Sequence, residues 1–160
     1  MFKHILIPTN GSRLANRAVR QGLQFAKTQH ARVTLFYASP SYWVVSAGGS
    51  MRPNETELFT RFVKEYEVRS KGRIAQQRTV QAMRILQPSL ALARKMRVEC
   101  DSLHVVSDLP FDAILSAARS RKCDLILMAS HGWGGVKGLV LGSETTKVLT
   151  HSKIPVLVLR

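Results

Sequence analysis

Short strand-like runs alternate with longer segments of helical period, and this alternation limits the folds open to the chain more than any other feature. Residues 3–8 form a branched apolar run without polar alternation, which is typical of a strand covered on both faces. Further strands are predicted at 32–38, 98–106, 124–129 and 154–159. Parallel strands need long crossover connections, so the pattern predicts a doubly wound α/β fold, with five parallel strands and helices on both faces of the sheet.

The segment from Arg13 to His30 has a helical period, and Ser12 before it is a suitable N-cap. One side of this helix carries small and apolar residues: Ala15, Val19, Gly22, Leu23 and Ala26. The opposite side is polar and mostly basic: Arg13, Arg17, Arg20, Gln24 and Lys27. The helix is therefore predicted to pack on the sheet and to show a basic stripe to solvent.

A long helical insertion is predicted after the second strand, over residues 54–97. Asn54 with Glu57 three positions later resembles a capping box at its start. A continuous helix as far as Pro88 would be about 50 Å long, which exceeds the width of a domain this small. We expect a break near Gly72 and a second break or kink at Pro88, with part of the segment available to pair with a partner.

Length and composition favour a single cytoplasmic domain spanning residues 1–160. No apolar run approaches the roughly 20 residues of a membrane helix, and the start lacks the features of a signal peptide. The two cysteines, Cys100 and Cys123, form neither a CxxC pair nor a metal-ligand cluster, so ordinary packing roles are predicted for both.

The net charge of +14 is concentrated in the first 97 residues. Residues 1–51 carry six Lys or Arg and no acid, and residues 52–97 carry eleven against four acids. Residues 98–160 are nearly balanced, with seven against six. Such an imbalance raises the affinity for polyanions, nucleic acid included, although a basic helix stripe is most often just a solvated face.

The glycine-rich stretch from Ala129 to Ser143 is the strongest candidate for a binding site. It leaves a buried strand and enters a helix, whose free amide groups and dipole favour an anion. Gly142 and Ser143 suit a phosphate contact, with the Ser143 hydroxyl as an extra donor, although glycine-rich loops also make plain turns. The stretch matches neither the Walker A pattern nor the GxGxxG fingerprint.

The same stretch closely resembles the nucleotide-binding motif of the universal stress protein family: Gly, two residues, Gly, nine residues, then Gly-Ser or Gly-Thr. Here Gly132 is the second glycine, Gly142-Ser143 closes the motif and Ala129 replaces the first glycine. The flanking sequences MASHG, SKIPVLVLR and KHILIPTNGS are also similar to the family. The resemblance implies the family's fold, of the adenine nucleotide alpha-hydrolase-like type, and the binding of ATP or AMP.

The resemblance also implies which residues hold the nucleotide. Pro8, Thr9 and Asn10 would flank the adenosine, with Asn10 in place of the family's usual Asp, and Ala38 would help to wall the adenine. Ala129 and Gly132 would contact the ribose and phosphate region, and the backbone amides of three residues would face the phosphates: Gly142, Ser143 and Glu144. Trp133 stands where the family often has a basic residue, so one phosphate contact is missing.

Two further loop residues have both a functional and an ordinary interpretation. His131 could titrate beside a phosphate or simply cap or face solvent, and Lys137 could reach a phosphate or remain solvated.

Asp108 is predicted to cap a helix with Pro110 in its first turn.

The leading hypothesis is an ATP- or AMP-binding stress-response protein that acts by binding, with Mg²⁺ accompanying ATP and no dedicated metal site. The family resemblance also implies a homodimer through pairing of the last strand, Ile154 to Leu159. An interaction module with a vestigial site, using its basic face and helical arm, is the main alternative, and a slow ATPase is the third.

Overall fold

The computed structural model describes residues 1–41, 57–131 and 141–160, and within them the chain forms five strands and four helices. In chain order the elements are β1 (His4–Pro8), α1 (Arg13–Gln29), β2 (Arg32–Ser39), α2 (Glu57–Met96), β3 (Cys100–Val106), α3 (Pro110–Ser120), β4 (Leu125–Ala129), α4 (Ser143–His151) and β5 (Val156–Leu159). The prediction of alternating strands and helices is confirmed.

The five strands form one parallel sheet in the order β3-β2-β1-β4-β5. Ile5 of β1 pairs with Val33 of β2 on one side and with Leu125 of β4 on the other. From β1 the chain winds outward through β2 to β3, and then crosses back to β4 and continues to β5. The winding therefore reverses between β1 and β4, as the predicted doubly wound fold requires.

The central strands are buried on both faces, and alternate side chains enter two separate cores. Ile5 and Ile7 pack with the apolar sides of α1 and α2, whereas Leu6 between them packs with α3 and α4. The strand β4 repeats this division, with Leu127 in the first core and Met128 in the second. The helices α1 and α2 thus cover one face of the sheet and α3 and α4 the other.

Close packing of α1 on the sheet depends on Gly22. A Cβ atom there would lie 2.6 Å from Cδ1 of Ile7 and 2.9 Å from Cδ2 of Leu127, closer than packed carbon atoms approach. The buried side of α1 is the one predicted from its period, and Ser12 caps the helix by accepting a hydrogen bond from the Ala15 amide at 3.2 Å. Both predictions for this helix are confirmed.

The predicted break at Gly72 is wrong, because α2 runs without interruption for 40 residues, or about 60 Å. Nothing lies within 4 Å of a Cβ placed at Gly72, so this residue imposes no packing constraint and costs only the modest helix propensity of glycine. The helix also continues through Pro88, whose exposure lets water bond the carbonyl group left without a helical donor. Asn54 lies outside the described residues.

Asp108 does not cap α3, contrary to the prediction. Leu109 occupies the N-cap position, and Pro110 begins the helix as predicted. The Asp108 carboxylate instead accepts hydrogen bonds from the amide and the hydroxyl of Ser41, and these bonds hold its pKa below the ordinary value. The aspartate therefore joins the chain after β2 to the chain after β3, a long-range contact that no local pattern indicates.

A polar chain crosses the amino end of the sheet from β1 to β3. His4 is buried, and its Nε2 lies 2.8 Å from Oγ1 of Thr34, which donates to Asp101 at 2.6 Å. Since the Thr34 hydroxyl proton goes to Asp101, His4 must be the donor in the first bond. Asp101 in turn forms an ion pair with Arg121 at 3.0 Å. This chain is at the opposite end of the strands from the predicted binding site.

Within the described ranges, the structure contains no helix that is both long enough and apolar enough to cross a membrane.

Candidate functional site

A cleft of about 460 Å³ opens at the carboxyl edge of the sheet, at the ends of β1 and β4. These are the two strands between which the winding reverses, and doubly wound sheets bind their ligands at such a point. The volume lies within the range of small-molecule sites. The cleft is lined by Pro8, Thr9, Asn10, Ala15, Phe36, Tyr37, Ala38, Pro110, Ile114, Met128, Ala129, His131, Gly142, Ser143, Glu144 and Thr145.

The turn after β1 forms one wall and is held by local hydrogen bonds. The Thr9 amide donates to the carbonyl of Phe36 at 2.8 Å, which extends the pairing with β2 by one residue. Oγ1 of Thr9 accepts from the Gly11 amide at 3.2 Å, and Oδ1 of Asn10 accepts from the Ser12 amide at 3.1 Å. An Asp at position 10 could accept the same bond, so Asn10 preserves the shape of the turn. It removes the negative charge and replaces one acceptor oxygen by an amide donor.

The opposite wall is the start of α4, which begins directly beside the end of β4. The Gly142 amide donates to the carbonyl of Ser130 at 2.8 Å, so the prediction that this amide faces the phosphates is wrong. Oγ1 of Thr145 donates to the carbonyl of Ala129 at 3.1 Å. A Cβ atom on Gly142 would lie 3.1 Å from the Ser130 oxygen, so the close return of the chain onto the strand end favours glycine there. These contacts fix the first turn of α4 against the sheet.

The N-terminus of α4 is not capped by a side chain. Gly142 occupies the N-cap position, and the first helical hydrogen bond runs from the Thr146 amide to the Gly142 carbonyl at 2.9 Å. Within the part of the chain that the structure describes, no acceptor bonds the main-chain amides of Ser143, Glu144 or Thr145, and all three residues line the cleft. These donors and the helix dipole make this end of the cleft attractive to an anion.

The one acid of this helix turn, Glu144, is bonded to two protein groups. Oε2 of Glu144 accepts from the Phe111 amide at 2.9 Å, and Oε1 pairs with Nζ of Lys147 at 2.9 Å. Glu144 thereby ties the first turn of α4 to the first turn of α3, and Lys147 also lies 5.3 Å from the centre of the Phe111 ring. The carboxylate is thus committed to protein partners.

Part of the cleft lining is apolar. Carbon surface comes from two strands and α3, through Phe36, Ala38, Pro110, Ile114 and Met128. A flat apolar group on this surface and a negatively charged group at the start of α4 would match the lining of the cleft.

Comparison with known proteins agrees with this architecture. The model of the universal stress protein family matches residues 1–160, the full length of the chain.

The chain belongs to the universal stress protein family.

Several family members cover almost the same length. A universal stress protein of Thermus aquaticus, named for its position in the 3′ region of a QAH/OAS sulfhydrylase, is 31% identical over 160 residues, and the match covers all of both chains. The solved structure of the MJ0577 protein of Methanocaldococcus jannaschii is 25% identical, with a TM-score of 0.70, and the match covers 99% of this chain and 96% of the other. The universal stress protein of Archaeoglobus fulgidus solved in complex with dAMP shares the fold at a TM-score of 0.63 and 15% identity, with 100% and 98% covered.

Nine of the ten residues predicted for the nucleotide site lie around this cleft: Pro8, Thr9, Asn10, Ala38, Ala129, His131, Gly142, Ser143 and Glu144. The tenth, Gly132, lies outside the described residues, as do Trp133 and Lys137 of the same universal stress protein motif. The structure therefore brings together residues from four separate stretches of the chain. Their contacts with a nucleotide stay a prediction.

Several cleft residues were not predicted from the sequence. The helix α3, about 100 residues after β1, contributes Pro110 and Ile114 to the cleft lining. Thr145, two residues after Ser143, also lines the cleft. Spacing offers one weak signal, since positions 110 and 114 lie on one side of a helix. Met128 and Ala15 line the cleft only because their elements pass beside it.

The described cleft residues supply few groups for acid–base or metal chemistry. Nδ1 of His131 lies 3.0 Å from Oγ of Ser130. Within the described ranges, no three His, Cys, Asp or Glu residues are grouped to hold a metal ion. Both thiols are free and lie outside the cleft, and burial raises the pKa of Cys100 to about 12 and that of Cys123 to about 11. Such thiols are mostly protonated at neutral pH and are poor nucleophiles.

Proposed function

We propose that the cleft binds an adenine nucleotide, AMP or ATP, and that the protein acts in stress response mainly through this binding. The phosphates lie against the first turn of α4, and the base lies on the apolar wall near Ala38 and Pro8. The observation that carries the proposal is the uncapped start of α4 at the point where the winding of the sheet reverses. The dAMP complex of the Archaeoglobus fulgidus protein, which has the same fold, supports the choice of an adenine nucleotide.

The expected contacts follow from the geometry of the site. The amides of residues 143–145 have no acceptor among the described residues, and each can donate to a phosphate oxygen. A hydrogen bond to a charged group contributes about 1.5–3 kcal/mol, so the phosphate contributes much of the affinity. Mg²⁺ would enter with ATP as a counter-ion of its phosphates. Few groups of the described cleft can take a proton near neutral pH. The Glu144 carboxylate already accepts from the Phe111 amide and pairs with Lys147. Because few general bases are available, we favour binding over hydrolysis.

Calorimetric titration with AMP, ATP and GMP tests the proposal. We expect heat of binding when AMP or ATP is titrated into the native chain. In the variant Gly142→Ala, binding of the same nucleotides should be lost or weakened by about tenfold. The added methyl group would press on the Ser130 carbonyl and displace the first turn of α4.

A matched control is Gly72→Ala, the same substitution at a helical glycine with open space around it, which should leave nucleotide affinity unchanged. Absence of heat at millimolar nucleotide with the native chain would refute the proposal. Equal affinity of Gly142→Ala and the native chain would move the phosphate site away from α4.

A second candidate is an interaction module of the same fold in which the site is vestigial. Two departures from the family's usual residues favour it: Asn10 carries no charge where the family usually has Asp, and Ala129 adds a methyl group where the family motif has glycine. Nucleotide identified by mass spectrometry in the purified protein would exclude this candidate. Slow ATP hydrolysis, the third candidate, is separated from pure binding by assay of released phosphate.

We also propose a homodimer through the outer edge of β5. The carbonyls of Pro155 and Leu159 accept from β4, so odd-numbered residues of this strand face β4 and the backbone of Val156 and Val158 faces outward. Antiparallel pairing with a second copy would cover this edge. Val158→Pro removes one outward N–H, and sedimentation should then show monomer at concentrations where the native chain is dimeric. Native chain that sediments as monomer throughout would refute the dimer.

The cytoplasmic location predicted from the sequence stays a prediction, which cell fractionation can check.

A further inference from the structure

The excess positive charge of this protein lies in one layer of the fold. The helices α1 and α2 share a core on one face of the sheet, and α1 carries no Asp or Glu. The acids of α2 are Glu57, Glu65 and Glu67, all in its first eleven residues, and residues 68–98 contain none. By contrast, α3 and α4 on the other face each carry one acid and one Lys or Arg. The molecule therefore has a strongly basic side and a nearly neutral side, which the sequence alone does not show.

The cations of α1 form a narrow exposed stripe. Arg13, Arg17, Arg20 and Lys27 are all exposed, and at 100° per residue they fall within an arc of about 80° over a length of about 21 Å. Gln24 lies inside the same arc. On α2, Arg73, Arg84 and Lys95 are also exposed and share one side of that helix.

Folding stability does not explain this arrangement. The first turn of α1 holds no acid, although an acid there would be favoured by the helix dipole and Arg13 is disfavoured by it. Arg121–Asp101 and Lys147–Glu144 are ion pairs outside α1, and among the described residues none of the cations of α1 has an acidic partner. The stripe thus raises the electrostatic repulsion of the folded chain without local compensation, and a polyanion would relieve that repulsion.

The composition of the layer favours a nucleic acid duplex over other polyanions. Nine of the twelve Lys and Arg residues in 1–41 and 72–98 are Arg, which suits phosphate oxygens. The apolar side of α1 is buried in the core, so it cannot insert into a membrane. Its one aromatic residue, Phe25, packs on Phe2 at 6.2 Å between ring centres, so α1 offers no aromatic platform for unpaired bases.

We propose that the outer face of α1 and α2 binds the phosphate backbone of double-stranded nucleic acid without sequence preference. This surface is separate from the nucleotide cleft at the carboxyl edge of the sheet. Arg13 lies nearest to that cleft and is therefore left intact in the test.

The test measures binding of two labelled duplexes of unrelated sequence by fluorescence anisotropy across a salt series. The variant R17Q/R20Q/K27Q neutralises the stripe on α1. The control R119Q/K122Q/K153Q removes three exposed charges from outside this layer, so both proteins lose three charges from the native +14. Thermal unfolding and AMP titration confirm that each variant is folded, which separates this test from that of the nucleotide site.

We expect equal affinity of the native chain for the two duplexes. The stripe variant should bind about tenfold or more weakly at low salt, with the slope of log K against log salt smaller by about two to three, since each phosphate contact contributes about 0.9. The control should change much less. Equal losses in both variants would show that net charge alone is responsible and would overturn the proposal. Tighter binding to anionic vesicles or to single strands than to the duplexes would overturn the choice of partner.

Discussion

Replacing Ser143 by proline would remove its amide donor together with its hydroxyl and leave the helix that carries them in place. Ser143 is the first residue of α4, where proline is tolerated because the lost N–H has no helical acceptor. The preceding Gly142 has φ −61° and ψ 150°, the extended conformation that a residue before proline prefers. Compared with Ser143→Ala, the substitution therefore changes one further donor of the cleft, the amide, with little cost to the fold.

The size of the effect follows from the chemistry of the lost contact. A hydrogen bond from an amide to a phosphate oxygen contributes about 1.5–3 kcal/mol, so the affinity for AMP should fall by about 10- to 150-fold. Adenosine has no phosphate, and its affinity should not change. Calorimetric titration of both ligands gives the two values directly.

Ser143→Ala is the matched control, because it removes the hydroxyl and keeps the amide. Its loss of AMP affinity reports the hydroxyl alone and should be smaller than that of Ser143→Pro. Native-like AMP affinity in Ser143→Pro would refute the placement of phosphate at α4. A parallel loss of adenosine affinity would show that the substitution had distorted the cleft instead.

Three further predictions concern stability. Burial lowers the pKa of His4 and His104 below the ordinary 6.5, and Arg32 lowers that of His4 further, as Arg78 does that of His104. The unfolded chain therefore binds more protons than the folded chain as the pH falls below 6.5, which favours unfolding. Thermal unfolding should occur at a lower temperature at pH 5.5 than at pH 7.5, and His4→Gln should make this difference in temperature smaller. Gly22→Ala should lower the free energy of unfolding in urea by up to about 2 kcal/mol, because its Cβ would collide with Ile7. Gly72→Ala, in open space, should instead raise the free energy of unfolding by about 0.5–1 kcal/mol, and the opposite result for either glycine would contradict the packing described.

The parts of the fold that were predicted correctly are those set by local patterns. The apolar runs at 3–8 and 124–129 became central strands, and the buried side of α1 followed its period. Gly142 and Ser143 likewise stand at the start of a helix, as predicted.

The predicted breaks and the predicted cap failed because other parts of the structure offset or replaced a local preference. Glycine costs about 1 kcal/mol and proline about 3 kcal/mol in a helix, yet α2 continues through Gly72 and Pro88. On either side of Pro88, the buried Leu86 and Ala93 hold the helix on the sheet. Aspartate is a common N-cap residue, but the Asp108 carboxylate instead accepts hydrogen bonds from the amide and the hydroxyl of Ser41, 67 residues away in the chain. Local propensity could not weigh these alternatives.

By itself the sequence determined the order of strands and helices, the doubly wound class and the position of the glycine-rich turn, because each depends on residues close together in the chain. Only the tertiary structure decided which residues share a surface. Crossover connections bring residues 8–10, 110–114 and 142–145 to one cleft, and they place the cations of α1 and α2 on the same side of the sheet. Such neighbours are set by how the strands are ordered in space, and the spacing of residues along a chain does not specify that order.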